Sequence, residues 1–170
     1  MPTVTIRLAT PIDLPAINAI YNYYVTRSTC TYQEEPSTAL EREAWFAEHG
    51  SAHPVTVATV EDEVVGWASL GSFRARAAYR TTVENAVYVR HDLHGRGIGS
   101  ALLADSIERA QALGHHSIVA VIDASQPASV ALHCKFEFGQ VGRLPEIARK
   151  FERWLDVIYL QKILRDRPRT

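Results

Sequence analysis

Hydrophobic and polar residues recur with different periods along the chain, and each period predicts a type of element. Residues 4–8 alternate apolar and polar positions, which is typical of a strand. Apolar residues follow at near-helical spacing from Asp13 onward, which predicts a first helix. Thr38 with Glu41 three positions later forms a capping box that predicts the start of a second helix. A third helix is predicted after the glycine-rich turn at 94–99, and a fourth over 125–136.

The remaining segments predict strands. Residues 55–60 and 64–70 form a predicted hairpin, 82–89 a fourth strand, and 138–144 and 155–163 the last two. Residues 117–122 are almost wholly apolar, as expected of a strand covered on both faces. This order of elements predicts a mixed α/β sheet covered by helices. Because no repeat or linker interrupts the chain, we expect residues 1–170 to form one domain.

Composition narrows the classes of partner and compartment. A chain of 170 residues with 46% hydrophobic content can bury a substantial core. The net charge of -1 favours neither nucleic acid nor an acidic membrane as a partner. The N-terminus has no signal-peptide pattern and no apolar run approaches the ~20 residues that span a bilayer, so we expect a cytoplasmic protein. The cysteines Cys30 and Cys134 lie too far apart to suggest a disulfide framework, and no cluster of ligand residues predicts a metal.

The glycine-rich turn is the first candidate for chemistry. It follows a predicted strand and opens a helix, so its backbone amides and the helix N-terminus suit a pyrophosphate. A purely structural turn is the alternative. No Lys-Ser or Lys-Thr pair follows the last glycine, which excludes a Walker loop, and a Rossmann fingerprint would lie at the first strand with another glycine spacing.

Several motifs together resemble the GNAT superfamily of N-acetyltransferases, and within it the phosphinothricin and methionine sulfoximine acetyltransferases. The resemblance rests on Gly95-Arg96-Gly97-Ile98-Gly99-Ser100-Ala101-Leu102-Leu103, Thr82-Val83-Glu84-Asn85-Ala86-Val87-Tyr88-Val89, Ser129-Val130-Ala131-Leu132-His133 and Arg153-Trp154-Leu155-Asp156-Val157. It implies a mixed, mostly antiparallel sheet with a splayed strand pair and helices on both faces. It also implies a homodimer and acetyl-CoA as cosubstrate.

The resemblance also implies which residues hold acetyl-CoA. The turn would cradle the pyrophosphate, the central strand would pair with the pantetheine arm, and a strand amide after the splay would polarise the thioester carbonyl. The implied cofactor residues are Val87, Tyr88, Val89, His94, Gly95, Arg96, Gly97, Ile98, Gly99, Ser100, Gln126 and Ser129. Five of the chain's residues depart from the pattern of the resembling family. His94 replaces Arg or Gln, Gln126 replaces Asn and Glu137 replaces Gly, while Arg149 and Glu152 stand where Tyr and Gly are commoner. We expect His94 to contact the anion weakly and Arg96 to compensate.

Two residues are candidates for proton transfer. Glu84 interrupts a β-rich run, where a carboxylate is either solvent-facing or used. Taken alone, His133 is more simply a half-buried structural histidine. The resemblance makes Glu84 the general base and places His133 where many GNAT enzymes carry a general acid, and the two could share one water network.

Arg74, Arg76 and Tyr79 fall in the irregular segment before the central strand, where charged residues are usually just solvated. The resemblance implies that they bind the carboxylate of an amino acid analogue, with Glu34 near its amine. The predicted reaction is direct acetyl transfer to the α-amine of phosphinothricin, methionine sulfoximine or methionine sulfone. The alternatives are another amine, such as a polyamine or a protein N-terminus, and a non-catalytic acyl-CoA-binding sensor.

Overall fold

In the computed structural model, which describes residues 3–164, seven strands form one sheet in the order β1-β2-β3-β4-β5-β7-β6. The strands are β1 (Thr5–Leu8), β2 (Val55–Val60), β3 (Glu63–Ser72), β4 (Thr82–Val89), β5 (Ser117–Asp123), β6 (Gly139–Lys150) and β7 (Arg153–Ile163). The helices are α1 (Leu14–Val25), α2 (Ala39–Glu48), α3 (Ile98–Ala112) and α4 (Pro127–Lys135). Only the β4–β5 pair is parallel among the strand pairs described, so the mixed, mostly antiparallel sheet is confirmed.

The helices cover both faces of the sheet, as predicted. On one face α1 and α2 pack against β2 and β3, with Ile17 of α1 and Trp67 of β3 in that core. On the other face α3 packs through Leu102 and Leu103. Gly66 of β3 permits this close approach, because a Cβ there would lie 3.1 Å from Leu102 Cδ1 and 2.9 Å from the carbonyl oxygen of Tyr88. Among residues 3–164, no helix has the length and apolar character needed to cross a bilayer.

The last hairpin is longer than its sequence pattern predicts. Strand β6 runs to Lys150 rather than ending at residue 144, and β7 starts at Arg153 rather than at residue 155. The register against β7 shifts between Leu144 and Ala148, so the alternation of apolar and polar residues is broken there. The strands then continue to a tight turn at Phe151 and Glu152, which both have positive φ.

Strands β4 and β5 separate within the sheet. Their pairing covers Thr82 with Ser117, Val83 with Ile118 and Glu84 with Val119, and ends there. Beyond that point β4 continues to pair with β3 as far as Val89, and β5 continues to pair with β7 as far as Asp123. The sheet is therefore intact on either side of a V-shaped opening whose apex is Glu84. This is the predicted splayed strand pair.

Candidate active site

A cleft of about 640 Å³ occupies the opening between β4 and β5. Residues 84–89 of β4 form one wall and residues 120–123 of β5 the other. The N-terminus of α3 closes one end, and α4 contributes Ser129 and His133. The cleft thus joins the glycine-rich turn to the two candidate proton-transfer residues.

The backbone of β4 offers hydrogen-bonding groups to the cleft. The amide of Arg90 donates to the carbonyl of Val65 over 2.9 Å, which makes this a hydrogen-bonded pair of the β3–β4 ladder. Because such pairs alternate along an antiparallel ladder, Val89 and Val87 direct their backbone groups away from β3. These two residues therefore point their amides and carbonyls into the opening, where the family resemblance implies the pantetheine arm.

The start of α3 has the chemistry of an anion site. Gly97 is the N-cap of α3 with φ of 81°, and as a glycine it has no side chain to satisfy the first amides of the helix. The first helical bond runs from the amide of Ala101 to the carbonyl of Gly97, so the amides of Ile98, Gly99 and Ser100 precede it. Gly95 also has positive φ, at 76°, and the turn lines the cleft. The local geometry supplies unpaired donors and the positive end of a helix dipole.

Tyr24 of α1 links this turn to β4. Its hydroxyl lies 2.5 Å from the carbonyl oxygen of Val89 and 2.6 Å from Nε2 of His94. Since a carbonyl only accepts, the hydroxyl donates to Val89 and His94 Nε2 donates to the hydroxyl oxygen. Nδ1 is then the ring nitrogen of His94 that remains for the cleft. The weak contact of His94 with an anion stays a prediction.

Glu84 lies at the apex of the cleft and on the α1–α2 face of the sheet, since side chains alternate along β4 and Ala86 and Tyr88 pack into that core. Burial raises the pKa of the Glu84 carboxyl, and the nearby positive charge of Arg74 opposes part of that rise. A carboxylate with a raised pKa is a stronger base than an exposed one.

His133 reaches the same cleft from the opposite face. It is 4% exposed, and its ring contacts the carbonyl of Ser129 at 2.8 Å and Nδ2 of Asn85 at 3.1 Å. Burial lowers the pKa of the imidazole, and the bond to Ser129 opposes this. Because Glu84 and Asn85 are neighbours on β4, their side chains point to opposite faces, and the cleft passes between them.

The loop between α1 and α2 is fastened across one end of the cleft. Lys150 is 3% exposed, and its Nζ donates to the carbonyls of Ser28 at 2.8 Å and Thr31 at 2.7 Å. The hydroxyl of Tyr32 donates to the buried carboxylate of Asp123 over 3.2 Å. Ser28 and Cys30 of this loop line the cleft, so these bonds help to define its shape.

Gln126 lines the cleft as expected, but part of its amide serves the same loop. Its Nε2 donates to Thr29 Oγ1 over 3.0 Å. The remaining Oε1 is the group that could face a ligand. Gln126, which replaces the Asn of the family pattern, therefore links the start of α4 to the α1–α2 loop.

The predicted acceptor residues lie outside the cleft. Arg74, Arg76 and Glu34 are exposed, and Tyr79 is 43% exposed with its ring against Phe73. Of these, only Arg74 influences the Glu84 carboxyl. Glu34 instead acts on Lys150: burial lowers the pKa of Lys150, and the charge of Glu34 opposes part of that fall.

Tyr88 and Arg96, which the resemblance implied as cofactor residues, have different surroundings from those expected. Tyr88 stacks on Trp67 at 4.8 Å between ring centroids, and the ladder pattern turns its backbone toward β3, so its contribution to the cleft is a packed wall. Arg96 is exposed and is not among the cleft-lining residues of the described chain. Among residues 3–164, no three potential metal ligands lie together.

Sequence reasoning missed Tyr24, Asp123 and Lys150, and gave no separate role to Asn85. Asp123 carried a usable signal, because it is a carboxylate at the end of an apolar strand. The other contacts join residues far apart in the chain and leave no local pattern.

The chain belongs to the acetyltransferase (GNAT) family, whose model matches residues 17–138. It is 42% identical to an L-methionine sulfoximine/L-methionine sulfone acetyltransferase from Pseudomonas paraeruginosa, with 94% of each chain covered. A GNAT superfamily phosphinothricin acetyltransferase from Sinorhizobium meliloti, solved with AcCoA, matches with a TM-score of 0.93 and 36% identity over 99% of this chain and 92% of that one. A ribosomal-protein-alanine N-acetyltransferase from Brucella melitensis matches with a TM-score of 0.92 and 41% identity over 94% and 99%.

The cleft fits the acetyl-CoA that this family uses. The uncapped amides at the start of α3 suit the pyrophosphate, and the backbone of Val87 and Val89 suits the amides of the pantetheine arm. When bound, acetyl-CoA supplies the acetyl group as a thioester, and the CoA thiolate released by the transfer must gain a proton. The chain is therefore an acetyl-CoA-dependent N-acetyltransferase.

Replacing Tyr24 with Phe tests the link between α1 and the cofactor end of the cleft. Without the hydroxyl, the Val89 carbonyl loses its shorter hydrogen bond, and His94 keeps only its longer contact of 3.3 Å to that carbonyl. Loss of about 1 kcal/mol of hydrogen bonding predicts a rise of about fivefold in the KM for acetyl-CoA, with little change in the KM for the amine.

The matched control is Tyr23→Phe on the same helix, where the ring stacks on His91 at 3.8 Å and the hydroxyl does not hold His94. Both variants are measured by steady-state kinetics at saturating concentrations of the other substrate. Equal KM values for acetyl-CoA in the two variants would contradict the role of the Tyr24 hydroxyl.

Proposed function

We propose that the chain transfers acetyl from acetyl-CoA to the α-amine of a small amino acid analogue of the methionine sulfoximine, methionine sulfone or phosphinothricin type. The observation that carries this is the position of Glu84. A half-buried carboxylate stands at the apex of the cofactor cleft, and the positive charge of Arg74 acts on it. The relatives with methionine sulfoximine or phosphinothricin in their names support the same class of acceptor.

Glu84 is the proposed general base. The acceptor enters as an ammonium ion, and nitrogen cannot attack the thioester until it has lost a proton. The raised pKa of Glu84 supports this role, because a carboxyl closer to neutral pH takes that proton more readily. The nitrogen then forms a bond to the acetyl carbon while the bond from that carbon to sulfur breaks, with no covalent intermediate on the chain.

His133 is the proposed acid on the other face of the sheet. Only its imidazolium form can give a proton to the leaving thiolate through Nε2, since Nδ1 is directed to Ser129. Because Glu84 and His133 reach the cleft from opposite faces of the sheet, the proposed base and the proposed acid are kept apart. Glu34 remains a proposed neighbour of the amine.

The acceptor carboxylate is proposed to bind Arg74 and Arg76, with Tyr79 beside it. Guanidinium groups bind carboxylates in a bidentate manner, and exposed arginines are free to close on a ligand. A cationic acceptor such as a polyamine would meet like charge at this segment. A peptide N-terminus is the stronger rival, since the relative from Brucella melitensis is named for a ribosomal protein.

Release of free thiol from acetyl-CoA is the experiment that tests the acceptor class. We expect turnover with methionine sulfoximine, methionine sulfone and phosphinothricin, and none with spermidine or with peptides that begin with alanine. The variant Glu84→Gln should lose about 10²- to 10⁴-fold in kcat and still bind acetyl-CoA.

A chain that binds acetyl-CoA but releases no thiol with any of these acceptors would be a sensor, and Glu84→Gln would then change nothing measurable. Turnover with peptides alone would replace the amino acid analogue by a protein N-terminus as the acceptor. Calorimetric titration of acetyl-CoA keeps loss of binding apart from loss of chemistry.

The pH dependence of kcat/KM tests Glu84 as the base. The carboxyl must be ionised, so activity should fall as pH decreases through its pKa, which burial raises above the usual value of a glutamate. Arg74→Gln removes the charge that lowers this pKa, so the acidic limb should move to higher pH, by up to about one unit.

Arg76→Gln is the matched control, because its charge is not among those that act on Glu84. Both variants should raise the KM for the acceptor, but only Arg74→Gln should move the acidic limb of the pH profile of kcat/KM. Movement in both, or in neither, would contradict the proposed effect of Arg74 on Glu84.

We also propose that two copies of the chain associate through the β6–β7 hairpin, in the cytoplasm where acetyl-CoA is available. Strand β6 is an edge of the sheet, and edges attract pairing. The hairpin exposes large apolar side chains, which are Val141, Leu144, Ile147, Phe151, Trp154 and Ile163. Such a surface is typical of a protein–protein interface.

Light scattering in solution measures the association. The chain should have a mass of twice 19.0 kDa, and Ile147→Glu should reduce it toward 19.0 kDa. The control is Ile12→Glu, at an isoleucine that is 85% exposed outside the hairpin. A monomeric parent chain, or equal masses for the two variants, would contradict this interface.

A further inference from the structure

Both ring nitrogens of His133 are engaged by the protein. Nδ1 lies 2.8 Å from the carbonyl oxygen of Ser129, and Nε2 lies 3.1 Å from Nδ2 of Asn85. A carbonyl oxygen can only accept, so Nδ1 carries a proton. In the neutral ring Nε2 is then an acceptor, and the amide nitrogen of Asn85 donates to it. The two contacts hold the imidazole in one orientation and one tautomer.

The other end of the same amide has no partner. Oδ1 of Asn85 is buried without a hydrogen bond among the residues described, and Asn85 as a whole is 7% exposed. A buried acceptor left unpaired is uncommon in folded proteins and requires an explanation. Half a turn of the amide about its last bond would exchange the two atoms and bring Oδ1 to Nε2. That contact is a hydrogen bond only when Nε2 carries a proton, which is the imidazolium form of His133.

We propose that Asn85 is a positioning residue that stabilises both protonation states of His133 by turning its amide. The nitrogen end serves the neutral ring and the oxygen end serves the imidazolium. When Nε2 gives its proton to the leaving thiolate, the ring returns to its neutral form and the amide to its first orientation. This inference rests on the proposed role of His133 as the acid, and it names the group that makes a buried imidazole able to carry a proton.

The surroundings of His133 leave this task to Asn85. The charged residues on the elements around the ring are Glu84 on β4, Asp123 on β5 and Lys135 on α4, and all three line the cleft. The pKa of His133 responds to burial first and then to the Ser129 carbonyl, and to none of these charges. Phe138 covers the ring edge-on at 5.1 Å. The Asn85 amide is therefore the polar side chain that can change with the state of the ring.

Replacing Asn85 with Leu, which has a similar shape and no polar atoms, separates a turning amide from a fixed one. A turning amide gives the imidazolium a charge-assisted bond stronger than the bond to the neutral ring. Its removal should therefore lower the pKa of His133. A fixed donor supports the neutral ring alone, so its removal would raise that pKa. The measurement is an NMR titration of the imidazole, with the His133 signal identified among the seven histidines by its absence in His133→Gln.

Asn85→Asp supplies a second measurement if the Leu variant does not fold. A carboxylate at this place should raise the pKa of His133 by about one unit or more. Glu84→Gln is the control, since Glu84 lies on the opposite face of the sheet and should leave the titration of His133 unmoved. The proposal is overturned if the Leu variant raises the pKa of His133, or if neither Asn85 variant moves it.

Kinetics keep this inference apart from the proposed function. An acid must be protonated, so kcat should fall as pH rises through the pKa of His133, and this basic limb should follow the NMR titration in each variant. If the pKa moves and the limb does not, Asn85 controls His133 but His133 is not the acid. If the pKa stays fixed while the limb persists, the acid role survives and the role of Asn85 fails.

Discussion

The separation of β4 from β5 is the constraint on which the rest of the molecule depends. Backbone donors and acceptors inside a sheet are costly to leave unpaired, and the β4–β5 pairing nevertheless ends after Glu84 and Val119. The opening is tolerated because each strand keeps its other neighbour, β3 for β4 and β7 for β5. The groups that β4 directs into the gap are therefore held rigidly and remain available to a ligand with amides of its own, as the pantetheine arm has.

Strand geometry then divides the chemistry between the two faces. Side chains alternate along β4, so Glu84 falls on the face covered by α1 and α2, and Asn85 falls on the face covered by α3 and α4. Because the cleft passes through the sheet, one strand can offer a carboxylate on one face and an asparagine beside His133 on the other. The two groups do not need a shared network, and each is perturbed by its own surroundings, through burial and Arg74 for Glu84 and through burial for His133.

Most of the framework could be predicted from the sequence because it rests on local signals. The alternation in the strands, the Thr38–Glu41 capping box and the glycines before α3 each act within a few residues, and each is present in the structure. The contacts that shape the cleft are not local. The Tyr24 hydroxyl meets His94 across 70 residues, and Lys150 meets Ser28 across 122. Such pairs depend on how the sheet brings distant segments together, and no period or motif in the chain encodes them.

Four of the departures from the family pattern form two groups, those that line the cleft and those in backbone turns. His94 and Gln126 lie at the cleft, where His94 is held by Tyr24 and Gln126 by Thr29, so each exchanges part of its ligand-binding capacity for an internal bond.

Glu137 and Glu152 have φ of 64° and 60°, which is the left-handed region that glycine occupies without strain. Glu137 follows the end of α4, where its amide bonds to the carbonyl of Cys134, and Glu152 forms the β6–β7 turn. The cost of these two glutamates, about 1 kcal/mol each, falls on backbone turns and thus on stability rather than on the cofactor. The internal bonds of His94 and Gln126 therefore limit which of their atoms can meet a ligand, while the two glutamates affect how firmly α4 and the hairpin are held.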